Sequence, residues 1–320
     1  MPDLNSENIG PARVICAVFD GRSLFGRKQT DTQGSARTWV LCVQDLLDWP
    51  ASKCWRSICV FLMMAVGLVF DAMAWGSIGH RIVGQVADQH LTPKAAARVS
   101  KIMGTNSLGD VANWMDQVRD TPEGKAMEMW HYQSVDACTG TLLKCPEGNC
   151  AGPKVKQQEA TLRSGKGDQL KALRVLVHLI GDIHQPLHTA ENGDGGGNGV
   201  KIKNRSCVDQ TGKTVQCNLH TYWDNRLVKS ALAGRSETVF VAALVGMDVA
   251  TGSGDVDAWI QESNGLAKSS VHAYDGFSCK AGGHKISLTQ AYDAAGSALV
   301  SAQLAKAGKR LATLLNDIYS

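Results

Sequence analysis

The 320-residue chain has no Lys/Arg run that could act as a polybasic tract, and its formal net charge is only +3. Charge alone therefore gives no case for a nucleic-acid or anionic-membrane surface, and any anionic ligand must be held locally. Alternating strand-like runs are scarce, and residues 75–320 contain no internal repeat or low-complexity tract, which excludes β-rich and repeat architectures. No CxxC spacing occurs, which removes the usual thiolate zinc sites and iron–sulfur sites. The longest apolar run is short of the about 20 residues that a membrane-spanning helix needs. The glycine-rich stretch at 193–199 lacks the Lys-Ser/Thr ending of a phosphate-binding loop and reads as a flexible rim. What remains, at 44% hydrophobic and 20% charged residues, is the composition of an ordinary globular chain with ample core material.

That apolar run, residues 58–70, follows Lys53 and Arg56 and precedes Ala72-Met73-Ala74. Basic residues, an apolar core and an A-x-A site together predict a secretory signal peptide over 58–74, with an uncleaved anchor as the rival. Cleavage after Ala74 leaves Trp75 as the first residue. Residues 1–57 show no sustained periodicity and read as an extension of doubtful origin, outside the fold. Export explains the cysteines, because Cys138, Cys145, Cys150, Cys207, Cys217 and Cys279 form an even set in an oxidising compartment. The short spacings Cys145 to Cys150 and Cys207 to Cys217 suggest local pairs and leave Cys138 with Cys279.

Residues 75–320 are predicted to be all-α. Apolar residues recur at three- and four-residue spacing over 78–91, 93–103, 157–178, 237–249, 259–274 and 288–315. Only 200–203 and 207–217 look extended, which predicts a small irregular or β-hairpin excursion. The third helix ends in an unusual stretch, 178–188, reading HLIGDIHQPLH. His178 and Asp182 are four apart and share a helix face; Pro186 then ends the helix, so His188 sits where the chain turns. His220 and Asp224 repeat that four-residue spacing, and His80, Asp116 and His131 lie beside tryptophans or an aromatic pair. Two His/Asp pairs with further isolated ligand types predict a multinuclear centre. Imidazole with carboxylate favours zinc over calcium or magnesium.

Five motifs in order make a resemblance: W-G-x-x-G-H at 75–80, W-x-D at 114–116, W-H-Y at 130–132, H-x-x-G-D-x-x-Q-P-L-H at 178–188 and N-L-H-x-x-W-D at 218–224. In these the exported part resembles the zinc-dependent, single-strand-specific nucleases of the S1/P1 family. The resemblance implies a multi-helix domain of the phospholipase C/P1 nuclease type holding three zinc ions. Asp116, His131, His178 and Asp182 would bind the first ion, and His188, His220 and Asp224 the second. The Trp75 amine and carbonyl with His80 and a bridging Asp182 would bind the third, so a free Trp75 amine needs cleavage after Ala74. The family's two disulfides match Cys138 with Cys279 and Cys145 with Cys150.

Phosphodiester hydrolysis is the implied reaction, yielding 5′-phosphorylated products from single-stranded DNA and RNA, with 3′-nucleotidase activity as a further expectation. Asp136 matches an acidic position near the attacking water and Arg119 a phosphate contact, whereas Tyr132 and Asn225 match positions around the base. Ser134 stands where the fungal enzymes carry an acidic base contact, so the resemblance does not fix a base preference. His184 reads as a surface or supporting residue rather than a ligand; His90, His272 and His284 read as structural. Two other functions compete. A zinc phospholipase C or phosphomonoesterase would use the same metals behind a different cleft wall, but no amphipathic segment marks a membrane-docking face. A non-catalytic zinc-stabilised binding protein conflicts with a second ion held by only three side chains, since structural zinc sites are closed by four. A secreted or periplasmic monomer is expected.

Overall fold

A computed structural model of the protein describes residues 75–104, 106–208, 213–252 and 255–320. The expected signal peptide and the extension before it lie outside these residues. The described chain is mostly helical. Among its residues, no helix is long and apolar enough to cross a membrane.

The first helix, α1 (Ser77–Asp88), buries Ile82, Val83, Val86 and Ala87 along with His80, the spacing of a helix with one face in the core. Thr92 caps α2 (Pro93–Met103) by accepting from Ala95 N, and Pro93 occupies the first turn, where a missing N–H costs nothing. Four short turns follow: Leu108–Val111, Trp114–Gln117, Pro122–Ala126 and Glu128–His131. Each is too short for a periodic signal. Their placement depends on caps such as Ser107, which exchanges hydrogen bonds with Asp110.

The periodicity over 157–178 predicts one helix, but the chain makes two, α3 (Ala151–Ser164) and α4 (Gln169–Ile183). Gly165 closes α3 in a left-handed conformation at φ 64°, and Asp168 caps α4 by accepting from Lys171 N. Apolar spacing carried across that break hides it. From Leu176 to Ile183 every residue of α4 is buried, which makes it the central element.

Beyond the site lie α5 (Glu237–Val245), α6 (Val256–Leu266), which runs on as a π turn over Ala267–Val271, and the long α7 (Gln290–Ile318). Close approach of α7 to α1 requires Gly308, since a Cβ there would lie 2.6 Å from Val86 Cβ. The extended excursion is β1 (Lys201–Val208) paired antiparallel with β2 (Thr214–Asn218). A two-residue strand, β3 (Lys285–Ile286), joins β1 in parallel, giving the order β2-β1-β3. Disulfides join Cys138 to Cys279, Cys145 to Cys150 and Cys207 to Cys217.

Candidate metal centre

The centre is assembled around the buried end of α4. His178 and Asp182, both at 0% exposure, face the same way one turn apart, with Nε2 and Oδ2 separated by 3.5 Å. From α1, His80 reaches in until its ring stacks on His178 at 3.8 Å and its Nε2 lies 3.3 Å from Asp182 Oδ1. Gly181 makes that approach possible: a Cβ there would fall 2.8 Å from His80 Nδ1. The turn at Trp114–Gln117 brings Asp116 to 3.9 Å from His178 Nε2. His131, at the end of the Glu128–His131 turn, sets Nδ1 3.1 Å from Asp182 Oδ2 and 3.0 Å from His178 Nε2.

A neighbouring group forms where Pro186 stops the helix. His188 sits in the turn Pro186–Thr189, and β2 runs into the short helix Leu219–Thr221 carrying His220. A π turn over Tyr222–Leu227 then presents Asp224, 3.3 Å from His220 Nε2. His188 and His220 point their Nε2 atoms at each other across 3.1 Å. Among the described residues, three sets therefore gather candidate ligand atoms within 4.8 Å: His80, His178 and Asp182; Asp116, His131 and His178; His188, His220 and Asp224.

Backbone carbonyls fix the direction of three imidazoles. Nδ1 of His178 donates to Ala112 O at 2.8 Å, that of His188 to His131 O at 2.6 Å, and that of His220 to Gly196 O at 2.6 Å. With Nδ1 as the donor, each ring turns Nε2 toward the cluster, the atom through which a neutral imidazole binds a metal. Burial, reinforced by neighbouring imidazoles, holds the pKa values of His80 and His131 well below the ordinary value, and burial lowers His178 too. These rings are therefore neutral at pH 7. Burial pushes Asp182 and Asp224 the other way, well above the carboxylate range, with Asp116 adding repulsion. Desolvated carboxylates repel one another, and a cation reverses that cost.

The buried donor atoms fit such a cation. Among the described residues, His80 Nδ1 and Nε2, Asp116 Oδ2, Asp182 Oδ1 and Asp224 Oδ2 are buried without hydrogen-bond partners. Among the described residues, the remaining oxygen of Asp224 is held by Gln185, whose Nε2 donates to it at 2.5 Å while its Oε1 accepts from Leu187 N at 2.7 Å. Gln185 is part of the motif at 178–188, but its hold on Asp224 and the roles of the Ala112, His131 and Gly196 carbonyls had no sequence signal.

A cleft of about 510 Å³ opens over His131, His188 and His220, with Arg119, Tyr132, Ser134 and the glycine-rich loop among its lining. Arg119 enters it while donating to Asp116 Oδ1 at 3.1 Å. The loop at 193–199 is thus a cleft wall that orients His220. Two expected residues stand apart from the lining. Asp136 Oδ1 accepts from Cys138 N and Thr139 N, closing a tight turn. Asn225 packs on Gly76, where a Cβ would collide with its side-chain oxygen. Trp75 is fully buried against Gly79 and near Gly181, beside the His80 group. His184 is not at the surface: at 1% exposure, its Nδ1 bonds Ile180 O and its Nε2 accepts from Arg310 Nη1 at 2.9 Å.

Comparison with known proteins matches residues 75–320 to the S1/P1 nuclease family profile. Endonuclease 4 of Arabidopsis thaliana is 26% identical over 292 residues, covering 81% of this chain and 94% of its own length. Nuclease S1 of Aspergillus oryzae is 34% identical over 178 residues, 52% of this chain and 58% of its own. Nuclease P1 of Penicillium citrinum is 24% identical over 277 residues, covering 77% and 98%.

Proposed function

The chain belongs to the S1/P1 nuclease family and is a hydrolase of phosphodiester bonds, and from that premise we propose that it is an exported, zinc-dependent, monomeric endonuclease. It cleaves single-stranded DNA and RNA to 5′-phosphorylated products, with 3′-nucleotidase activity at the same centre. The observation that carries the metal dependence is that the Nε2 atoms of His188 and His220 face each other at 3.1 Å while both Nδ1 atoms donate to carbonyls.

In this reading Asp116, His131, His178 and Asp182 hold one ion, and His188, His220 and Asp224 a second. Trp75, through its free amine and its carbonyl, holds a third with His80 and Asp182. The amine is a ligand only after cleavage at Ala74, because an amide nitrogen has no free lone pair; this ties activity to export. Zinc held by these residues would lower the pKa of water and offset charge on the phosphate oxygens. The chain's own residues supply position. Arg119, braced by Asp116, holds a phosphate oxygen at the cleft floor. Tyr132, half-buried in the cleft wall, offers a ring on which an unpaired base stacks. A duplex cannot present such a base without unstacking it, which favours single strands.

The test offers the zinc-loaded protein, cleaved after Ala74, single-stranded DNA, the same sequence as duplex, RNA, a 3′-nucleotide and phosphatidylcholine. Single strands are expected to be cut fastest, leaving 5′-phosphates. Equal rates on duplex, 3′-phosphate products, or turnover of phosphatidylcholine alone would overturn the reading.

A further inference from the structure

The cleft lining mixes charges: Arg119, Lys201 and the imidazoles of His131, His188 and His220 share it with the carboxylates Glu128, Glu191 and Asp194. Glu128 and Glu191 are close enough to the Tyr132 phenol to help raise its pKa, after burial. Glu191 is fixed in place. Its Oε1 accepts from Asp194 N at 2.9 Å and from Gly195 N at 3.2 Å, and the backbone around it pairs with the segment at 135–137. Both lone pairs of Oε1 are thereby used. Among the described residues no hydrogen bond is made by Oε2.

We propose that Glu191 is a specificity-determining residue, whose fixed carboxylate beside Tyr132 in the cleft lining selects nucleobases carrying an exocyclic amino group over thymine and uracil. The inference rests on the nuclease reading of the cleft. A base stacked on Tyr132 presents its edge to this wall, and Oε2 can only accept. Adenine, cytosine and guanine each offer an amino group. Thymine and uracil offer one ring N–H between two carbonyl oxygens, so bringing that N–H to Oε2 also brings both oxygens against its lone pairs. Ser134, also in the wall, can donate or accept and does not discriminate. One hydrogen bond to a charged acceptor, made by one base and not by the other, gives a preference of about tenfold or more.

The test measures kcat/KM of the zinc-loaded protein on single-stranded oligo(dA), oligo(dC) and oligo(dT), and inhibition by the 5′-monophosphates of deoxyadenosine and thymidine. Oligo(dT) is the least stacked of the three, so a preference set by unstacking alone would favour it. About tenfold slower cleavage of oligo(dT) is expected, with weaker inhibition by the thymidine nucleotide. Glu191→Gln retains an amide oxygen for Asp194 N and Gly195 N but replaces the acceptor at Oε2 with a donor. It should bring the dA/dT ratio to one or reverse it. Equal rates on oligo(dA) and oligo(dT), or an unchanged ratio in Glu191→Gln, would overturn the proposal and leave the nuclease reading standing. Should Glu191→Gln fail to fold, the wild-type ratio and the inhibition pair decide. Failure to cut any oligonucleotide would overturn the nuclease reading itself and this proposal with it.

Discussion

Asp182 turns one oxygen to His80 and the other to His131 and His178, at 3.3, 3.1 and 3.5 Å. Without a cation its carboxyl is driven toward the protonated form, since burial raises its pKa. Asp182→Asn should therefore change the metal-free protein little, its melting temperature staying within a few degrees of wild type, while zinc content and hydrolysis both fall steeply. Metal analysis and calorimetry on one preparation check this. Full zinc content with near-normal turnover would remove Asp182 from the centre. The same logic of direction applies to Asp224, whose Gln185 contact at 2.5 Å orients one oxygen and leaves the other for the cluster.

The elements that carry these residues were legible to different degrees. Spacing predicts α1, α2, α5, α6 and α7, and merges α3 with α4 into one helix over 157–178, while the His178/Asp182 and His220/Asp224 pairs follow from the same helical arithmetic. The break at Gly165 was hidden by apolar residues on both sides of it. The turn carrying Asp116 and that carrying His131 are four residues each, too short to show a period, so their positions were legible only through motif resemblance. β3 pairs through two residues and had no pattern to find. Gly181 is where element packing and site geometry meet. Gly181→Ala sets a Cβ 2.8 Å from His80 Nδ1 and 3.1 Å from its Cε1. Overpacking of this kind costs about 1–3 kcal/mol, and displacement of His80 should lower zinc affinity as well. Calorimetry and a zinc titration measure the two losses; a variant with wild-type stability and affinity would show that α1 and α4 have slack at this crossing.

At the scale of the whole molecule, buried neutral histidines make the fold acid-sensitive apart from any metal. His272 stacks on Phe277 at 4.5 Å with neither ring nitrogen hydrogen-bonded among the described residues, and burial lowers its pKa to about 4. A histidine depressed in the folded state contributes stability that is complete above its unfolded pKa, about 6.5, and is lost as pH falls toward the folded value. His272→Phe should remove that loss, gaining on wild type by about 2 kcal/mol between pH 7 and pH 5. Denaturant melts at the two pH values in chelator, which takes the metal centre out of the comparison, provide the check; parallel pH slopes would contradict it.

Metal, fold and reaction meet in one experiment on the protein cleaved after Ala74: zinc content, melting temperature and single-strand hydrolysis measured before chelation, after chelation and after zinc is restored. The account predicts three zinc ions per chain, a lower melting temperature with loss of hydrolysis when they are removed, and recovery of both when they return. Undiminished hydrolysis of single-stranded DNA by metal-free protein would contradict it.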